Sequence, residues 1–221
     1  MGWIITAIIA MILLLAFFLL NFYRDPPRKI PKGNNIVAPA DGKIISIINT
    51  SKNSRMRKLG FRSLIYPKLA HNQLKIKKHI FGKIKTLTGD IAAECCIISI
   101  FMSPLDVHIN RAPIDGTIKS IKHSKGKFFK AYDLEKSLEN EKNEIVIENK
   151  KIKVKVIQIA GFLARRIKCY VKKNQKVNKG DKIGMIALSS QTTLILPKGV
   201  DLKVKVNDKV KAGETIIAIL K

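Results

Sequence analysis

The sequence predicts a mainly β protein: a pseudo-symmetric β sandwich, or barrel-sandwich-like domain, with few helices and one transmembrane helix in front of it. Three observations carry the prediction. Residues 3–23 are apolar and carry no charge. The remainder holds short runs rich in Ile and Val, which fit a pleated, half-buried surface. Two segments also recur. Ala38-Pro-Ala-Asp-Gly-Lys-Ile44 returns as Ala112-Pro-Ile-Asp-Gly-Thr-Ile118, and Asn174-Gln-Lys-Val-Asn-Lys-Gly-Asp-Lys-Ile183 returns as Asn207-Asp-Lys-Val-Lys-Ala-Gly-Glu-Thr-Ile216.

Residues 1–24 form the anchor. About 20 helical residues cover the roughly 30 Å of a bilayer's hydrocarbon core. Trp3 and Tyr23 stand where interface aromatics belong, and Arg24, Arg28, Lys29 and Lys32 follow at once. Positive charge stays cytoplasmic, so the body is expected on the cytoplasmic side of the cell membrane. A cleaved signal peptide needs a basic start and a small-x-small site, and this segment has neither. Residues 25–35 are a Pro-rich linker, held extended because Asp25-Pro-Pro-Arg-Lys-Ile-Pro31 excludes helix.

One domain follows over 36–221. Ile36–Asn49, Ala92–Met102, Gly116–Ile121, Glu144–Ile159, Ile167–Val171 and Lys182–Leu188 read as strands. One helix is expected over Asp133–Lys142, capped by Asp133 with Leu134 and Leu138 on a shared face. Each recurring unit reads as strand, tight Asp-Gly or Lys-Gly turn, and returning strand. Such duplication suits the flattened sandwich of biotinyl- and lipoyl-carrier domains. Carriers modify a lysine at a hairpin tip between apolar residues, and no lysine here sits in such a tip. Ser51–Gly89 is an insertion with eleven Lys or Arg, no acid and interleaved apolar residues. It suits an anionic membrane surface, or else a solvated insertion in a lysine-rich chain.

Lys and Arg outnumber Asp and Glu 42 to 16, a formal charge of +26. Such a surface attracts polyanions. Aromatics are sparse and no nucleic-acid motif is present, so with the apolar helix the expected partner is lipid rather than nucleic acid. Cys95 and Cys96 alternate faces on one strand, which makes a poor metal pair; with Cys169 they read as free thiols of a reducing compartment. No metal site is expected.

Four segments hold polar residues that a β core does not need: Ala38-Pro-Ala-Asp41-Gly42, Ser103-Pro-Leu-Asp106-Val-His108-Ile-Asn-Arg111-Ala-Pro113, Gln158-Ile-Ala-Gly-Phe-Leu-Ala-Arg165-Arg166, and the serine pair in Gly184-Met-Ile-Ala-Leu-Ser189-Ser190-Gln-Thr-Thr-Leu-Ile-Leu-Pro197. Singly, each has a plain reading: Asp41 forms a turn, His108 is a structural histidine, Arg165 and Arg166 are surface charges. Together they supply a carboxylate, an imidazole and a hydroxyl, the groups needed to deprotonate a serine and orient its base.

With Gly126-Lys-Phe-Phe and Tyr23-Arg-Asp-Pro-Pro-Arg added, these segments resemble the phosphatidylserine decarboxylase family in its short form, found in archaea and many bacteria. The resemblance runs from about residue 20 to 221. It implies a proenzyme that cleaves itself at Ser189–Ser190 into a β chain (1–189) and an α chain (190–221), which stay together as a heterodimer, with assembly into a further oligomer left open. Ser190 becomes a covalent pyruvoyl group, an electron sink for decarboxylating a serine phospholipid in the membrane. The substrate is phosphatidylserine or, for an archaeal source, archaetidylserine. The resemblance makes Ser190, His108 and Asp41 the catalytic set, and gives Asp106, Arg111 and Arg165 to the substrate pocket.

The family's usual Gly-Ser-Arg is Ser189-Ser190-Gln191 here. Glycine takes a left-handed backbone freely, whereas Ser189 pays about 1 kcal/mol or more for it. Gln191 lacks the charge that could hold a phosphate, and Ser189 is itself a second candidate nucleophile. The rival readings are a non-catalytic membrane-surface β domain, a degenerate relative whose serine pair no longer reacts, and a carrier module.

Overall fold

The computed structural model describes residues 2–50, 86–129, 137, 139–161, 166–187 and 190–220. The basic insertion therefore lies outside the described residues except for its last four, as does most of the helix expected over Asp133–Lys142. That helix's last residue, Lys142, instead opens a strand. Helix α1 (Gly2–Phe22) has no charged residue, and at about 1.5 Å per residue it is long and apolar enough to cross a membrane.

Fourteen strands follow among the described residues, and they form two copies of one seven-strand unit, one copy inserted into the other. The outer copy begins with β1 (Asn35–Val37), β2 (Gly42–Asn49) and β3 (Cys95–Met102). The inner copy is β4 (Ile109–Arg111), β5 (Gly116–Ser124), β6 (Lys142–Glu148), β7 (Lys153–Ala160), β8 (Ile167–Cys169), β9 (Lys176–Val177) and β10 (Lys182–Ile186). The outer copy then resumes with β11 (Ser190–Pro197), β12 (Asp201–Leu202), β13 (Lys209–Val210) and β14 (Ile216–Ile219). The strand orders show the duplication. An eight-stranded sheet runs β13-β2-β3-β11-β7-β6-β5-β9, with β11 and β7 at its centre, and two three-stranded sheets run β1-β14-β12 and β4-β10-β8.

The bonding repeats nearly residue for residue. Gly213 N donates to Ala38 O and Gly180 N to Ala112 O, each at 2.8 Å. Asn207 N donates to Ile44 O at 2.8 Å and Asn174 N to Ile118 O at 2.7 Å. Both asparagines take the left-handed backbone that their hairpins need, φ 69° for Asn174 and 80° for Asn207. The pseudo-symmetric fold expected from the echoes is thus the fold observed. The small sheets pack on one face of the large sheet, and Ile36, Ile44, Ile98, Ile118, Ile147, Ile183, Leu194 and Ile217 fill the core between them. The opposite face carries a second cluster, where buried Lys155 bridges Glu144 at 3.0 Å and Asp90 at 2.6 Å. Cys95 belongs to that cluster and Cys96 to the main core, on opposite faces as strand alternation requires. All three cysteines are free, with Cys169 exposed.

Two expected strands are split. Ile36–Asn49 is interrupted by the Pro39–Asp41 turn, and Glu144–Ile159 is a hairpin of β6 and β7. The hairpin turn uses neither glycine nor proline. The Asn149 side chain accepts from Lys151 N at 2.9 Å and Ile152 N at 3.0 Å instead.

Residues 24–31 are extended, as the prolines require, and are strapped along the domain. Arg24 donates to Leu105 O, Asp25 pairs with Arg111 and Lys182, Arg28 pairs with Asp41, and Lys29 N donates to Glu214. Ile30 then lies over the two equivalent turns. A Cβ on Gly180 (φ +90°) or Gly213 (φ +78°) would come within 2.4 or 2.9 Å of Ile30 Cδ1, so only glycine admits the strap.

Candidate active site at the start of the central strand

Ser190 is the first residue of β11 and is fully buried. It pairs with Met102 of β3 on one side and Ala160 of β7 on the other. Its hydroxyl has one described partner, the Met102 sulfur at 3.4 Å, a weak acceptor. No charged side chain bonds to it among the described contacts.

Two residues along β11, on the same face, the Thr192 hydroxyl also touches the Met102 sulfur at 3.4 Å. Thr192 ends a chain of buried amides. Asn143 Nδ2 donates to Gln158 Oε1 at 3.0 Å, Gln158 Nε2 to Asn110 Oδ1 at 2.8 Å, and Asn110 Nδ2 to Thr192 Oγ1 at 3.1 Å. Each link fixes the orientation of the next, because an amide that donates through nitrogen must accept through oxygen. Four polar side chains in a core cost free energy unless they satisfy one another, and these do. Asn140 closes the other side. It donates to Ala160 O at 2.7 Å and exchanges two bonds with the Phe129 backbone, which brings the Gly126-Lys-Phe-Phe segment to the β7 strand end beside Ser190.

His108 lies just before β4. Its Nδ1 is 2.8 Å from the Asp106 carbonyl and must carry the proton there; Nε2 is buried with no partner. The ring packs on Phe22, the last residue of α1, with centroids 4.3 Å apart. Burial pushes the pKa down from 6.5 to about 4, the Asp106 carbonyl and carboxylate oppose the shift, and the Arg24 charge adds to it. At neutral pH His108 therefore presents a bare basic nitrogen. Its own carbonyl accepts from Ile186 N at 3.4 Å, at the end of β10, where the chain departs for Ser190.

A histidine pKa lowered by folding leaves stability intact above the unfolded value and withdraws it on acidification. Between pH 6.5 and 4 the loss from His108 is expected to reach about 3 kcal/mol. Thermal midpoints recorded in detergent from pH 7.5 to 4 should fall across this window, and less steeply for His108→Gln. Parallel profiles for the two chains would disprove the burial effect.

Asp41 accepts from Arg28 at 3.0 Å and from Ala212 N at 2.8 Å. Its counterpart Asp115 accepts from Lys179 N at 2.8 Å, so both aspartates brace equivalent turns. Among the described contacts Asp41 reaches neither His108 nor Ser190. Asp106 caps its own turn, accepting from Ser103 N and Oγ, each at 2.7 Å. Arg111 is spent on the strap, donating to Gly180 O at 2.8 Å and to Asp25. Ser189 and Arg165 lie outside the described residues. Sequence reasoning did not single out Met102, Asn110, Asn143, Gln158 and Thr192. The four polar ones were signalled by a polar residue at a buried strand position, whereas Met102 is one more apolar residue of β3 and had no signal. No three His, Cys, Asp or Glu side chains gather to hold a metal among the described residues. The uncharged, buried setting of Ser190 fits a small keto acyl group built from its own three carbons.

The phosphatidylserine decarboxylase family profile matches residues 15–218. A protein of Methanocaldococcus jannaschii named "Putative archaetidylserine decarboxylase proenzyme" is 41% identical over 206 residues, covering 93% of this chain and 91% of its own. The phosphatidylserine decarboxylase proenzyme of Chlorobium limicola is 38% identical over 205 residues, covering 92% and 80%. That of Chlorobaculum tepidum is 37% identical over 217 residues, covering 98% and 83%.

Proposed function

Because the chain belongs to the phosphatidylserine decarboxylase family, a family of decarboxylating enzymes, we propose that it is made as a proenzyme, cuts itself between Ser189 and Ser190, and then decarboxylates a serine phospholipid. The observation that supports this reading best is the buried Ser190 hydroxyl, weakly held at the start of the central strand, together with neutral His108, whose Nε2 is unpartnered and whose carbonyl accepts from Ile186 N at the end of β10.

In the cleavage, Ser190 Oγ forms a bond to the carbonyl carbon of residue 189 as the 189–190 C–N bond breaks, and the Oγ proton passes to the freed amine. His108 Nε2 serves as proton carrier for this exchange. Loss of the Ser190 α-proton then expels residue 189 as a carboxylate. The elimination leaves an enamine; a proton added to its methylene carbon makes the imine, water then replaces the imine nitrogen, and ammonia leaves. Asp41 has a positioning role: with Arg28 it braces the turn whose Pro39 carbonyl accepts from Arg111 N at 2.9 Å and lies 3.5 Å from Asn110 Nδ2. Arg111 and Asp106 hold the strap and the His108 turn, and Arg165 contributes charge to the substrate's phosphate.

The pyruvoyl group supplies an electron sink for the carboxylate's departing pair. Met102, Thr192 and the amide chain keep water and charge away from residue 190. His108 Nε2, once protonated, returns the proton that replaces carbon dioxide. The substrate is phosphatidylserine or its archaeal ether-linked counterpart, since relatives named for each match this chain. α1 anchors the enzyme in the membrane, and Arg24, Arg28, Lys29 and Lys32 keep the body on the cytoplasmic side. Both products of cleavage stay together as a heterodimer.

Mass spectrometry of the purified protein tests the reading. It should show residues 1–189 and 190–221 as separate chains. The shorter should be lighter by one ammonia than a chain beginning with serine, and carbon dioxide should be released from vesicles of a serine phospholipid. A folded preparation that stays whole would overturn it.

A further inference from the structure

Leu105 is 67% exposed at the apex of the Ser103-Pro-Leu-Asp106 turn. The turn is rigid: Asp106 N donates to Ser103 O at 3.0 Å while the Asp106 carboxylate accepts from Ser103 N and Oγ. It therefore holds the leucine out rather than letting it fold back. The same turn is tied to the exit of α1, because Arg24 Nη2 donates to Leu105 O at 2.7 Å. Two half-exposed tyrosines adjoin. Tyr23 is 57% exposed at the helix end, and Tyr170 is 44% exposed beside β8. Tyr170 N donates to Ile183 O at 3.0 Å, beside Lys182, whose ammonium pairs with Asp25 of the strap.

The strand registers extend this face. Ile109, Met185 and Lys168 are cross-strand partners and point the same way. Phe22 and Phe18 of α1 cover Ile109 and Met185 together with Val107, and Lys168 remains exposed at the rim. Apolar apex, aromatic shoulder and basic rim thus surround the point where a helix long enough to cross a bilayer ends.

We propose that the Ser103–Asp106 turn is a second membrane contact, with Leu105 entering the bilayer beside α1, Tyr23 and Tyr170 in the headgroup layer, and Lys168 against lipid phosphates. The occupant is an anionic leaflet, because the patch continues the surface of α1 and the chain carries +26. His108, two residues past Asp106 and stacked on Phe22, then lies at headgroup depth. The contact goes beyond the decarboxylase reading and does not rest on it.

The test uses the full chain in vesicles of phosphatidylcholine and phosphatidylglycerol with brominated acyl chains. Trp3 is the sole tryptophan and its quenching reports insertion of α1. In a Trp3→Phe background, Leu105→Trp should shift emission to the blue and lose about twofold in intensity to bromine, as a side chain 5–10 Å into the interface does. The exposed Leu105 site admits the larger ring. Lys150→Trp, at the hairpin about 25 Å along β7 from the Ser190 end, should remain unquenched. The proposal is overturned if Leu105→Trp behaves like Lys150→Trp while Trp3 is quenched in the native chain. It is equally overturned if the blue shift appears in detergent and scales with protein concentration without bromine quenching, which would show a second copy of the chain on this face.

Discussion

Ser190→Ala is expected to remain a single chain of 221 residues and to release no carbon dioxide from serine phospholipid vesicles. The substitution removes both the nucleophile and the source of the carbonyl group, so the loss should exceed about 10³-fold, the scale seen when a covalent catalyst loses its nucleophile. The fold should survive. The hydroxyl's one described bond goes to a thioether sulfur, and losing a weak hydrogen bond costs about 1 kcal/mol or less. An intact circular-dichroism spectrum beside an uncut chain therefore separates chemistry from misfolding. If Ser190→Ala still yields two chains and Ser189→Ala yields one, the nucleophile is the earlier serine.

His108→Gln should slow the appearance of the short chain by about 10²–10⁴-fold, the usual contribution of a positioned acid or base. Glutamine can still bond to the Asp106 carbonyl and pack under Phe22, but it offers no nitrogen that can take a proton. The depressed pKa makes a second expectation. Because burial holds His108 neutral down to about pH 4, the native self-cleavage rate should stay level from pH 7 to about 5. A rate falling with an inflection near 6.5 would mean the histidine is solvated in the precursor. Undiminished cleavage in His108→Gln would remove it from the chemistry.

The duplication was readable because its turns need particular chemistry. Asp-Gly before a returning strand and Asn at a left-handed position recur at matching places, and the backbone has few other ways to make those turns. The β6–β7 hairpin was hidden because Asn149 makes its turn through a side chain, with no glycine or proline to mark it. β11 was obscured by its polar opening, Ser190-Gln-Thr-Thr. Those residues are buried only because Asn110 and Gln158 arrive from strands far along the chain, and pattern within a segment cannot report such partners. At the candidate site, Ser190 and His108 stood out as reactive types in odd places. Arg111 stood out equally, yet its guanidinium holds the strap through Gly180 and Asp25. The echo of Asp41 in Asp115 was the sequence's own sign that Asp41 has turn-forming work to do.

The insertion of one seven-strand copy into the other has a consequence for inheritance of form after the proposed cut. The 189–190 bond is the seam where the interrupted copy resumes. Once it opens, the inner copy is whole within the long chain, while the outer copy is completed in trans. β11 is zipped to β3 through eight residue pairs and to β7 through six, so the short chain is locked into both copies at once. Under that cut the two products would behave as a fragment-complementation pair that was never apart, and the bond given up would be one that no strand pairing among the described residues spans.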